Sequence, residues 1–165
     1  MTPDYHARGG ATVAVLNRME AWEASLVLNL RLWCEGPSGQ SQVWKAYRAA
    51  LSGEEAQSAC HAFDVLMRTL IERSFRPLVR HDVGCSCVGA DEGIIVNLVR
   101  TAAEGHLSDA ALIATLMTGP AQAEHIAILA GQVGTKMREI HQTDTRQTAD
   151  ESTYATPGSN VIRLH

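Results

Sequence analysis

This sequence predicts an all-α fold: a single-domain bundle of about five to six helices ahead of a flexible C-terminal tail. Three observations carry the expectation. Apolar residues recur at steps of three and four through most of the chain, tracing one helical face after another. Aromatics are only 5% of the residues while alanine is plentiful, a composition that packs helices more readily than sheets. No stretch carries the strict alternation of a half-buried strand. At 165 residues the chain can also bury a real core.

Residues 1–10 hold Pro3, Asp4 and His6 with no apolar run, so they read as a flexible N-terminus and not as a signal peptide. The helical domain is expected over residues 11–141. A first helix over 11–35 has Val15, Met19, Trp22, Leu26, Leu30 and Trp33 on one stripe. Its second half is apolar almost all round, with Val27, Leu28, Leu32 and Cys34 off that stripe. Such a helix is either central in its domain or shared with a second subunit, which raises a homodimer. The turn residues Gly36, Pro37, Ser38 and Gly39 end it.

A second helix follows over about 40–51, with Val43, Trp44, Tyr47 and Leu51 inward. Ser52 and Glu55 make an S-x-x-E capping box for the third helix, which runs to about Arg76 and stops before Pro77. A fourth helix over 90–104 is expected to bury Ile94, Ile95, Leu98 and Ala102, and Gly105 stops it. Ser108 is expected to cap a fifth helix ending at Gly119. Pro120 then suits the first turn of a sixth, with Ile126, Leu129, Ala130, Val133, Met137 and Ile140 inward. From Gln142 the chain turns polar, so residues 142–165 read as a disordered tail. Val161, Ile162 and Leu164 at its end form a short apolar segment suited to docking on a partner.

A net charge of −4 argues against nucleic acid or an anionic membrane as partner. The most apolar run, residues 26–34, is broken by Asn29 and Arg31 and falls far short of the ~20 residues needed to span a bilayer. A cytoplasmic protein is expected, whose four cysteines are reduced, metal-bound or transiently oxidised.

The densest chemistry lies in residues 81–92, where one histidine, two thiols and three carboxylates precede the fourth helix. Metal ligands must direct lone pairs at one point, and zinc takes four of sulfur, nitrogen or oxygen. Zinc is the expected metal, held by His81, Cys85 and Cys87, with Asp91, Glu92, Asp82 or water completing the set. Cys60 and His106 are excluded by distance, at about 24 Å and 21 Å along their helices. The same thiols offer a redox reading, since Cys87 precedes a helix N-terminus that favours a thiolate. A third reading makes both cysteines small fillers, His81 a surface residue, and Asp91 and Glu92 caps.

Cys34 and Cys60 lie on inward stripes and read as core, while His61 and His125 read as solvated. Arg68, Arg73, Arg76, Arg80 and His81 gather near Pro77. Their cations suit a helix C-terminus more simply than an anion patch. No phosphate loop, G-x-S-x-G elbow or H-E-x-x-H is present, so no enzyme is indicated. The function expected is that of a small regulatory or adaptor protein with a protein partner or a second copy of itself. The alternatives are a metal- or thiol-dependent enzyme, with His81 as base and Glu92 as acid, and a nucleic-acid regulator using the arginines.

Overall fold

The computed structural model describes residues 12–153, with side chains described as far as Arg146. The bundle is helical, as expected. Its elements are β1 (Ala14–Val15), a 3-10 turn (Leu16–Arg18), α1 (Ala21–Cys34), α2 (Pro37–Ala50) and α3 (Gly53–Arg73). They are followed by β2 (Cys87–Val88), α4 (Ala90–Ala103), α5 (Leu107–Thr118) and α6 (Pro120–Thr153). None of these helices is long and apolar enough to cross a membrane.

The first helix starts at Ala21, not near residue 11. Upstream, β1 pairs antiparallel with β2, Ala14 opposite Val88 and Val15 opposite Cys87. The Val13 and Leu16 N–H groups extend the pairing to the carbonyls of Val88 and Ser86. Those bonds to a distant loop replace the intrahelical bonds these residues would otherwise make. Two-residue strands leave no alternation to detect, which is why none was expected.

The second half of α1 is apolar almost all round because it is central. Trp22, Leu26, Val27, Leu30 and Trp33 are all buried within the chain, and Leu28 and Leu32 are half-buried. Its neighbours are α2, α4 and α6, so its own domain and not a second subunit accounts for most of its apolar surface. α2 begins at Pro37, earlier than its apolar pattern suggested, and lies close to α1 at Gly39. A Cβ there would fall 1.8 Å from the Leu32 carbonyl oxygen.

On α3, the hydroxyl of Ser52 donates to the Glu55 carboxylate at 2.9 Å, so the box residues meet side chain to side chain. α3 ends at Arg73, and Ser74 turns extended. Cys60 is buried among Phe63, Leu66 and Met67, as its stripe implied. In α4 the buried face is Ile95, Val96, Leu98, Val99 and Ala102, while Ile94 is turned outward. α5 starts at Leu107, with His106 and not Ser108 at the cap position. Gly119 ends it with φ +86°, a conformation that disfavours any side chain.

α6 buries Ile126, Leu129, Ala130, Val133 and Met137 against α1, α3, α4 and α5. At Gly134 a Cβ would lie 2.7 Å from Ala103 Cβ, so the missing side chain lets α4 and α6 cross closely. The helix continues through Thr153, past its expected end at His141. The N-terminus expected to be flexible, the tail beyond Thr153 and the apolar segment at 161–164 lie outside the described residues.

Candidate functional site

Arg31 organises the loop that sequence reading singled out. It stands in the most apolar part of α1 and is 0% exposed. A guanidinium carries five N–H donors and cannot shed its charge, so its burial requires a complete set of acceptors. Nε and Nη2 donate to the two Glu92 oxygens at 2.7 and 2.9 Å. Nη1 donates to the carbonyls of Asp82 at 3.1 Å and Cys85 at 2.6 Å, and Nη2 also reaches the Cys87 carbonyl at 2.6 Å. Every donor is matched.

Glu92, 1% exposed, is held just as fully. Besides Arg31 it accepts the N–H of His81 at 3.1 Å and of Gly89 at 2.9 Å, the latter closing the first turn of α4. Burial by itself would raise its pKa. The hydrogen bonds from Arg31, Gly89 and His81 outweigh that and hold the carboxyl below its ordinary value. Asp91 follows the same design nearer the surface. Arg76 grips it through two bonds of 2.8 and 2.6 Å, and the Val79 N–H donates at 2.7 Å. The Arg76 bond chiefly keeps its carboxyl below the usual range, against the opposing effect of burial.

The two acidic residues expected as metal donors or as an acid therefore bind arginines. Among the described residues no group of three or more His, Cys, Asp or Glu side chains is gathered to hold a metal ion. His81 and Cys85 do meet, with Nδ1 and Sγ 3.9 Å apart. His81 Nε2 is buried and has no hydrogen-bond partner. The ring lies against Gly89, where an added Cβ would be 3.2 Å from Nε2. His81 is thus half-buried rather than a surface residue, and Cys85 and Cys87 are half-buried too.

The arginines near Pro77 are mostly paired. Arg68 bonds Asp64 at 2.8 Å and lies over the Trp33 ring, Arg76 binds Asp91, and Arg80 meets Glu35 at 2.9 Å. Burial pushes the Cys34 thiol up, and the nearby Arg80 charge opposes that rise.

A second feature lies beside the loop and escaped the sequence reading. Leu116 is 81% exposed, Phe75 73% and Leu112 66%, with Ile71 and Ile94 also outward. A groove of about 550 Å³ brings Phe75, Ile94, Ile113, Leu116 and Met117 together, and Arg76 and Asp91 border it. The Phe75 N–H donates to the Met117 carbonyl at 3.1 Å, which fixes the segment after α3 to the end of α5. The signal was in α5 itself: after Asp109 in its first turn, no Asp, Glu, Lys, Arg or His occurs until Glu124, so neither face of the helix beyond that turn is charged.

No protein-family model matches this chain, no curated protein matches it, and no solved structure matches it. Its chemistry is read from its own residues.

Proposed function

We propose that this is a regulatory or adaptor protein that works through protein contact, and that the outer face of α5 joins two copies of the chain. The observation that carries the reading is the uncovered apolar face of Phe75, Leu112 and Leu116. Large contiguous apolar surface on a folded chain marks a place of association. A second copy suits the face because the uncharged stretch over residues 110–123 can meet itself without like-charge repulsion.

Antiparallel pairing of α5 about an axis between Leu112 and Leu116 brings the Asp109 end of each helix to the Gly119 end of the other. Phe75 packs at that end, and Arg73, two residues before it and exposed, offers the carboxylate a partner. Fully burying a Leu or Phe contributes about 1.5–3 kcal/mol. Six such side chains, already partly covered, supply roughly 10 kcal/mol before an association cost of about 4–15 kcal/mol. The balance favours a dimer that forms only at micromolar concentration or above.

Sedimentation of the full chain across about 1–100 μM tests this, with Leu116→Glu as the comparison. A concentration-dependent dimer that the substitution abolishes, with helicity unchanged, supports the reading. A monomer throughout the range overturns it.

A further inference from the structure

The four cysteines stand in different surroundings. Cys60 is buried in the core, and Cys34 lies beside Arg80 under burial that disfavours its charged form. Cys85 is half-exposed and lies 3.9 Å from an imidazole nitrogen. Its backbone is held on both sides: its N–H donates to the Asp82 carbonyl at 3.0 Å, and its own carbonyl accepts from Arg31. The thiol therefore projects from a fixed turn and not from a mobile loop.

The imidazole has no other side-chain use. A neutral ring carries one N–H. On Nε2 that hydrogen would be a buried donor with no acceptor, since Nε2 has no partner. On Nδ1 it points at the Cys85 sulfur. The second arrangement leaves no buried donor unmatched, and it aims an N–H at the sulfur from a fixed position. Two residues on is Cys87, whose carbonyl accepts from Nη2 of the guanidinium whose Nη1 holds that of Cys85. Carbonyls two apart that turn to one partner describe an extended backbone, in which residues i and i+2 also share a side-chain face.

From this placement we infer that Cys85 is a peroxide-reactive thiol, positioned by His81 and resolved by Cys87. Cys85 loses its proton to water, and the thiolate attacks one oxygen of a hydroperoxide. The S–O bond forms as the O–O bond breaks, and hydroxide (or alkoxide) leaves and is protonated by solvent. The Cys87 thiolate then attacks the sulfenic sulfur. The S–S bond forms, the S–O bond breaks, and a second hydroxide leaves. Two thiols are oxidised to a disulfide and the hydroperoxide is reduced to water, or to water and alcohol. Closing so short a link moves the carbonyls of Cys85 and Cys87 relative to Arg31. The oxidised loop thereby loses part of its anchor, a mark that a regulatory protein can carry and a thiol reductant can erase.

The test treats the reduced full-length protein with hydrogen peroxide and follows each cysteine by peptide mass spectrometry, with a 1,3-dione to trap sulfenic acid. Cys85 should react about tenfold faster than Cys34 or Cys60. The peptide holding Cys85 and Cys87 should lose two hydrogens, and Cys87→Ser should halt at a trappable sulfenic acid on Cys85. His81→Ala should slow Cys85 by about tenfold, and His81→Asn, whose amide can reach the former Nδ1 position, should restore part of the rate. The inference is overturned if Cys85 is no faster than Cys34. It is equally overturned if neither His81 substitution alters the rate in a chain of unchanged circular dichroism.

Discussion

Replacing Arg31 with Met removes five hydrogen bonds at a single buried position. What remains is a buried carboxylate without its counter-charge and the carbonyls of Asp82, Cys85 and Cys87 without donors. Cutting one partner from a buried pair costs about 3–5 kcal/mol. Each abandoned carbonyl adds about 1 kcal/mol or more unless water reaches it. We expect a loss of about 4 kcal/mol or more against a total of about 5–15 kcal/mol, so Arg31→Met should sit near the edge of folding. Glu92→Gln keeps the shape but removes the charge and turns one accepting oxygen into a donor facing N–H groups, and should cost about 3–5 kcal/mol. The double substitution Arg31→Met, Glu92→Met decides between two accounts. A simple buried ion pair can often be exchanged for apolar residues without loss. Here the three carbonyls, with the His81 and Gly89 N–H groups, would still lack partners. The double variant should therefore remain several kcal/mol below the parent. Urea unfolding followed by tryptophan fluorescence suits the measurement, since Trp33 lies two residues from Arg31. A double variant as stable as the parent would refute the argument that Arg31 holds the loop by its backbone.

Acid should unfold the protein through the same carboxylates. Glu92 and Asp91 have folded-state pKa values below their ordinary ones, so their contribution is complete above about pH 4.5 and is lost as pH falls through the depressed values. Stability measured downward from pH 5 should decline, and Glu92→Gln should flatten that decline; an unchanged acid limb in the variant would count against it. Gly39→Ala, forcing a methyl against the Leu32 carbonyl, should cost about 3 kcal/mol in denaturation, whereas Gly84→Ala, with nothing within 4 Å of the added carbon, should cost far less. Ending the chain after His141 should leave the thermal midpoint within about 5 °C, because the side chains of residues 142–146 are exposed on α6. A larger drop would show that the end of α6 supports the bundle.

The helices were legible wherever one apolar stripe met one core. The stripe of α6, from Ile126 to Met137, and the core position of Cys60 followed directly from spacing. The errors arose where a residue served two surfaces or a distant partner. Ile94 was assigned inward because it continues an apolar run, but α4 packs through Val96 and Val99 as well, and the rotation this requires turns Ile94 out. Residues 14–15 were read as helix because their partners, Val88 and Cys87, lie more than 70 positions away, and no local pattern encodes them. The loop at residues 81–92 was recognised as special for its thiols and acids. Its organiser was not, because Arg31 was taken as an interruption of an apolar helix. An arginine fully surrounded by leucine, valine and tryptophan has to find a carboxylate, and Glu92 stands at the third position of α4, where it also closes the first helical turn.

The Arg31 anchor also bears on the order in which the molecule assembles. Arg31 and Glu92 are 61 residues apart, and both must lose their water before their bonds form. Helices α1 and α4 can each form from local bonds, and apolar contacts can bring them together with the charges still hydrated. Stripping that water is the costly step, and it gains its return only when guanidinium, carboxylate and loop carbonyls are all in register. Such an arrangement belongs after the main barrier to folding, among contacts made late and broken early. Substitutions at Arg31 should accordingly speed unfolding far more than they slow folding, so that this one side chain governs how long the native state lasts once formed.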